Sequence, residues 1–266
     1  MAFDAVVDKA FLENGLKSIA DALRSGTGNR ENMAFPAGFV SEANAVAAEA
    51  KAIIERTKTS IFREDVVRVS PFSLYHYDKL KTAEFPNAAS AGESAFEECT
   101  ALTSVSLPNA EIIGVKTFKG CTKLSSLVLP KVYEIRTNAF DGCIELESID
   151  LPSLRKLGQY AFAGCTALKM ADLHNVPSIP NHVFRKSTNL GTLYLRNDAV
   201  VTLADVGAFF GVEAITVYVP GSLIESYKAA DNWSDLYNDG ICVFMDMDNE
   251  KGKAAEGIVT DHNSHE

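Results

Sequence analysis

From Leu74 to Leu195 the apolar positions of this chain recur every 22 residues. Phe96, Phe118, Phe140, Phe162 and Phe184 stand in phase. Three residues after them come Cys99, Cys121, Cys143 and Cys165, with Ser187 in the fifth unit. Leu102, Leu124, Leu146, Leu168 and Leu190 hold the next column, then Val105, Leu127, Ile149, Ala171 and Leu193, then Leu107, Leu129, Leu151, Leu173 and Leu195. Pro108, Pro130 and Pro152 close the first three units, and His174 and Arg196 break that column. A degenerate unit precedes these, with Leu74, Leu80, Phe85 and Pro86. A partial one follows, with Ile215, Val217, Val219 and Pro220, displaced by residues inserted around Val200 to Gly207.

A 22-residue unit has too little apolar surface to fold alone, so this pattern predicts stacked units sharing one continuous core. Leu102-Thr103-Ser104-Val105-Ser106-Leu107 alternates apolar and polar residues, which predicts a short strand with one buried face. Its equivalents stack into a parallel sheet, with each Pro just past the strand, where it removes no ladder hydrogen bond. The Phe and Leu positions become internal columns. The predicted fold is an α/β repeat solenoid over residues 59–220, with a C-terminal cap at 221–245 and an acidic polar tail at 246–266.

Two strand positions per unit point outward by the same alternation. They are Thr82 and Glu84, Ser104 and Ser106, Ser126 and Val128, Ser148 and Asp150, Met170 and Asp172, Thr192 and Tyr194, then Thr216 and Tyr218. The early rungs carry small hydroxylic residues, which suit any wet pleated surface. Asp150, Met170, Asp172, Thr192, Tyr194, Thr216 and Tyr218 differ, because acids beside aromatic rings can hydrogen-bond and stack on a sugar or grip a protein. These seven are the candidate ligand-binding residues.

Residues 1–58 follow another rhythm. Leu12, Leu16, Ile19 and Leu23 lie on one helical face, which Gly26-Thr27-Gly28 ends. After Phe35-Pro36-Ala37-Gly38, the residues Phe39, Ala43, Val46, Ala50 and Ile53 make a short heptad seam. Two readings fit: a helical hairpin covering the solenoid end, or a small homo-oligomeric bundle, with a trimer favoured. Leu12, Leu16, Ile19, Leu23, Phe39, Val46 and Ile53 are the candidate oligomerisation and attachment residues.

The phrase Ala-Phe-x-x-Cys-Thr-x-Leu-x-x-(Val/Leu)-x-Leu-Pro resembles BspA-like leucine-rich repeats of bacterial and phage surface proteins, over roughly residues 72 to 220. Tyr218-Val219-Pro220 with Tyr227-Lys228-Ala229-Ala230 and Trp233-Ser234 resembles the C-terminal cap of such proteins. Leu16, Ile19-Ala20-Asp21-Ala22-Leu23-Arg24 and Thr27-Gly28, followed by Phe35-Pro36 and Gly38-Phe39, resemble the opening of tailed-phage virion proteins, notably tail fibres and related appendages. That resemblance implies attachment to other virion proteins through the N-terminal helices and a virion location. An Ala-rich helix stands where the usual continuation would come.

Composition narrows the function. The net charge of −10 disfavours nucleic acid, which needs clustered Lys and Arg, and anionic lipid surfaces. No apolar run approaches the ~20 residues that span a bilayer. Met1-Ala2-Phe3-Asp4 opens with an acid, so no secretory leader is expected. The four in-phase Cys predict small buried thiols, free rather than paired, since no Cys-x-x-Cys suggests a metal site. No nucleophile elbow, phosphate loop, dinucleotide fingerprint or His-Glu-x-x-His occurs, so no catalytic residue, cofactor or metal is expected. The sequence predicts a non-enzymatic phage tail-fibre or appendage protein that displays its repeats to a bacterial cell-surface glycan or protein. Alternatives are a capsid-surface decoration (head fibre) and a bacterial adhesion or host-interaction protein.

Overall fold

The computed structural model describes residues 58–248. The predicted attachment residues Leu12, Leu16, Ile19, Leu23, Phe39, Val46 and Ile53 lie outside the described residues, as does most of the predicted tail.

In chain order the strands begin with β1 (Ser60–Phe62), β2 (Thr82–Glu84), β3 (Ser90–Ala91), β4 (Ser104–Ser106) and β5 (Ile112–Ile113). They continue with β6 (Ser126–Val128), β7 (Glu134–Ile135), β8 (Ser148–Asp150), β9 (Lys156–Leu157) and β10 (Met170–Asp172). The last are β11 (Ser178–Ile179), β12 (Thr192–Tyr194), β13 (Thr202–Leu203), β14 (Ile215–Val219) and β15 (Cys242–Asp246). All pairings are parallel, and Val105 pairs Leu127 while Ile149 pairs Ala171, so one sequence repeat is one turn of the solenoid. The insertion lengthens a single turn: Thr192 pairs Thr216, 24 positions on.

The outward slots lie on two sheets, ordered β1-β2-β4-β6 and β15-β14-β12-β10-β8. A second face carries β3-β5-β7-β9 and β11-β13. Those two-residue strands are too short for periodicity to reveal, and the sequence reading did not anticipate them. Their apolar members Ile113, Ile135 and Ile179 are buried, so they close the core from the far side.

The Phe column forms a stack. Successive centroids from Phe96 to Phe184 lie 5.0, 5.2, 5.2 and 5.9 Å apart, with the rings within 17° of parallel. Each such pair contributes about 0.5–1.5 kcal/mol beyond the area it buries. The Cys column lies beside it. Cys99, Cys121, Cys143 and Cys165 donate their thiol protons to the carbonyls of Leu74, Phe96, Phe118 and Phe140, at 3.0–3.2 Å. Ser187 repeats that contact to Phe162 O at 2.7 Å. The slot therefore asks for a small side chain with one donor, and all five cysteines are free.

The cap extends the column. Phe209 stacks on Phe184 at 5.7 Å, and Trp233 follows Phe209 at 5.9 Å. Trp233 opens helix α2 (Trp233–Asn238), which follows α1 (Ile224–Ala229). Its indole N–H donates to Val201 O at 2.7 Å, and the Tyr227 hydroxyl accepts from Val201 N–H at 3.0 Å. These bonds satisfy backbone groups that no further repeat reaches. The chain then returns to the sheet as β15, which pairs β14 from Ile215–Cys242 to Val219–Asp246. Cys242, which stands outside the 22-residue column, is buried in this last strand.

Candidate binding surface

Sequence places acids and aromatics at the third strand position late in the array, and the structure brings them into one row. Going across the sheet, this position is Asp150, Asp172, Tyr194, Tyr218 and then Met245. The first position runs Ser148, Met170, Thr192, Thr216 and Val243. Val243 and Met245 are both exposed and extend the face beyond the predicted residues. Their alternation with buried Cys242 and Phe244 was the available signal, hidden because β15 lies outside the period.

The two residues that break the Pro column organise this row. His174 leaves its own strand and reaches back to the preceding rung, placing Nε2 2.8 Å from Asp150 Oδ1. Arg196 repeats the move one turn later, and its Nε donates to Asp172 Oδ2 at 2.9 Å while Nη2 donates to the same oxygen. Asp172 also accepts the His174 backbone N–H at 3.2 Å, and its Oδ1 lies 3.4 Å from His174 Nε2. Proline could make neither contact.

Asp172 corrects the sequence reading. Alternation makes it an outward side chain, yet it is only 6% exposed. Its strand position does face outward, but His174 and Arg196 fold over it from either side. A carboxylate so covered needs charge-assisted partners, and Arg196 supplies them in a forked geometry. The same contact holds the proton of the Arg196 guanidinium more firmly than usual. Asp172 is therefore an organiser of the surface rather than a displayed group. Asp150 stays exposed, and Met170, Thr192, Tyr194, Thr216 and Tyr218 are half-buried.

The aromatic end is preorganised too. Tyr194 and Tyr218 stack with centroids 4.8 Å apart at 16°, and the Arg196 guanidinium sits 5.3 Å from the Tyr194 ring centroid. An unbroken series Asp150–His174–Asp172–Arg196–Tyr194–Tyr218 crosses four rungs.

Next to this row the sheet opens. β6 pairs β4 and β8 pairs β10, but β6 and β8 are not paired with each other. A cleft of about 280 Å³ lies between them, lined by Ser126, Leu127, Leu129, Ile149, Asp150 and Phe140 among others. On the far face β7 and β9 remain paired, so the opening is confined to the display side.

The repeat has a known counterpart. The profile of the BspA type leucine rich repeat region matches residues 18–131 and 111–230, in six copies. The chain belongs to the BspA-type leucine-rich repeat family. That family is defined by its repeat, not by a reaction, and its match covers every rung of the display row up to Tyr218. Among solved structures, the chain is similar to the pneumococcal vaccine antigen PcpA, at 18% identity and a TM-score of 0.51 over 68% of this chain and 44% of that one. A leucine-rich repeat protein from Bacteroides ovatus aligns at 23% identity and a TM-score of 0.47, over 58% of this chain and 47% of that one. A T. pallidum leucine-rich repeat protein aligns at 24% and 0.45, over 62% and 85%. The chain thus spans less than half the length of PcpA and of the Bacteroides ovatus protein. No curated protein matches the chain. Among the described residues, no helix is long and apolar enough to cross a membrane.

Proposed function

We propose that this protein is a binding scaffold whose late rungs grip a glycan or protein of a bacterial cell surface. One observation carries the reading: over four consecutive rungs the strand slot of Ser106 becomes Asp150, Asp172, Tyr194 and Tyr218, and on the middle two the Pro slot becomes His174 and Arg196, which link the series. A purely structural rung has no use for that departure, since Ser106 and Pro108 fill the same positions in a well-packed turn. Exposed Asp150 offers acceptors for sugar hydroxyls or backbone amides, and the tyrosine pair offers a flat apolar flank. Such a site binds weakly by itself and gains strength from several copies held together.

The finer reading is a phage tail-fibre or appendage protein, assembled as a homo-oligomer and attached to the virion through its N-terminal segment. The wording of residues 16–39 supports it. Mass spectrometry of purified particles tests the placement. A copy number matching the tail symmetry supports an appendage, a capsid-like number supports a head decoration, and absence from clean particles leaves a bacterial adhesion protein.

The surface itself is tested with the tagged full-length chain on a panel of bacterial-envelope glycans and on intact cells. Asp150→Ala combined with Tyr194→Ala and Tyr218→Ala is expected to weaken capture at least about tenfold, the loss of roughly 1.4 kcal/mol. Ser104→Ala with Ser126→Ala, on the early rungs, is expected to leave capture unchanged. Equal loss in both variants, or none in either, overturns the assignment of this surface.

A further inference from the structure

We propose that Asp150, Asp172 and His174 form a binding site for a divalent transition cation of the zinc class. Among the described residues this is the one group of three metal-ligating side chains whose donor atoms all lie within 4.8 Å of one another. His174 Nε2 faces two carboxylate oxygens, 2.8 Å away on Asp150 and 3.4 Å away on Asp172. A proton on Nε2 can bridge the shorter of these contacts, and a cation displacing that proton would meet all three atoms at once. A zinc-class ion about 2.0–2.2 Å from each ligand in tetrahedral geometry holds the ligand atoms roughly 3.3–3.5 Å apart. The His174–Asp172 separation already has that value. Asp150 must withdraw by roughly half an ångström, and its side chain is 69% exposed and free to do so.

The surroundings favour a cation as well. Asp172 cannot swing away, because Arg196 grips Oδ2 and the His174 backbone N–H holds Oδ1. Arg196 thus orients the ligand from outside the coordination sphere, as outer partners of metal ligands commonly do. It does not cancel the site's charge: two carboxylates, one guanidinium and a neutral imidazole sum to −1. One imidazole with two carboxylates selects a transition cation over calcium or magnesium, which prefer six or more oxygens or water-rich shells. Three protein ligands leave a coordination position open toward solvent, on the face argued above to bind a ligand.

Other thiols and imidazoles must be kept apart from this site. The in-phase Cys thiols are buried, and burial pushes their ionisation up, to about 12 for Cys99, so they do not offer thiolates. His262 and His265 in the C-terminal segment are the imidazoles to control for. The experiment is calorimetric titration of ZnCl₂ into the full-length chain in chelator-free buffer, with the visible spectrum of Co²⁺ as a second probe. The expected result is one saturable equivalent and the intense absorption of a four-coordinate Co²⁺ site. His174→Ala and Asp150→Asn should each weaken it by more than the about 10-fold that follows loss of an outer-shell partner. His262→Ala with His265→Ala should keep it. Circular dichroism confirms that each variant is folded, and Asp150→Asn, at an exposed position, tests the site even if His174→Ala loosens the row. Absence of saturable uptake, or uptake that survives His174→Ala and Asp150→Asn, overturns the proposal. The inference deepens the binding reading but is measured with metal alone. Capture of cells that persists in EDTA, together with absent zinc uptake, would sink the cation site and leave the binding surface standing.

Discussion

At the scale of single residues, the Cys column joins packing to pH dependence. Each thiol is buried in the core and donates to a backbone carbonyl of the preceding turn, so its neutral form is favoured by burial. The Cys99 thiol is pushed up to about 12 and that of Cys242 to about 11, from an ordinary 9.0, while those of Cys121, Cys143 and Cys165 rise as well. A folded-state pKa above the unfolded value means the unfolded chain loses its protons first as pH rises. The stabilisation is therefore complete below about 9 and is lost progressively as pH climbs through the folded values. The urea midpoint should fall between pH 8 and 10.5, and more gently in Cys99→Ser, which has one titrating thiol fewer. Ser187 shows that a hydroxyl fits this slot, so the serine variant should fold. A midpoint that does not move with pH, or moves equally in the variant, refutes the account. The slot's demand for a small side chain was readable from the Cys-to-Ser exchange in sequence. The fate of Asp172 was not: alternation fixes the direction of a strand side chain, whereas its burial depends on His174 and Arg196 reaching across rungs.

At the scale of the element, rung spacing sets which glycines matter. A Cβ on Gly158 would lie 2.4 Å from Thr137 N and 2.5 Å from Arg136 C, both backbone atoms of the preceding turn. Neither can yield without opening the ladder in which Gly158 N–H donates to Ile135 O at 2.7 Å. Gly158→Ala should therefore cost roughly 1–3 kcal/mol or more, by the usual scale of overpacking. Gly191→Ala is the matched control, because its nearest neighbour would be Asn189 O at 3.9 Å, and it should stay within about 0.5 kcal/mol of the parent. Chemical denaturation of both variants checks the contrast, and equal midpoints would disprove it. The strands that carry the display row were legible because Leu-x-x-Val-x-Leu alternates at a fixed phase. The far-face strands were not, since Glu134–Ile135 or Ser178–Ile179 gives alternation nothing to count. The opening between β6 and β8 has no sequence mark either: Leu127 and Ile149, which flank it, stand in the same column and at the same spacing as Val105 and Leu127 or Ile149 and Ala171, which do pair. It arises from how successive turns stack, a property that no single unit encodes.

At the scale of the whole described array, stability is shared only between neighbours, so damage should stay near where it is made. A stacked-repeat protein behaves approximately as a one-dimensional chain of coupled units, with the ends held by caps. Trp233 is the last ring of the aromatic column and binds Val201 O, while Tyr227 and Phe244 pack around it at 5.7 and 5.8 Å. Trp233→Ala removes that ring and leaves a buried carbonyl without its donor, which should cost about 3–5 kcal/mol. The loss cannot spread evenly. β15 rests on α1 and α2 from one side and on β14 from the other, so it should loosen first and β14 and β12 next. The rungs of β2 and β4 meet the cap through no direct contact and should keep their protection. Amide hydrogen exchange reads this gradient directly: faster exchange in Val217 and Leu193, unchanged exchange in Ala83 and Val105. The display row lies on the loosened side, so the same variant should weaken capture of its ligand even though Trp233 is fully buried and touches none of the row's exposed groups. Uniform loss of protection from β2 to β15 would instead mean that the array unfolds as one cooperative block, and the late-rung surface would then owe its rigidity to the entire stack rather than to its cap.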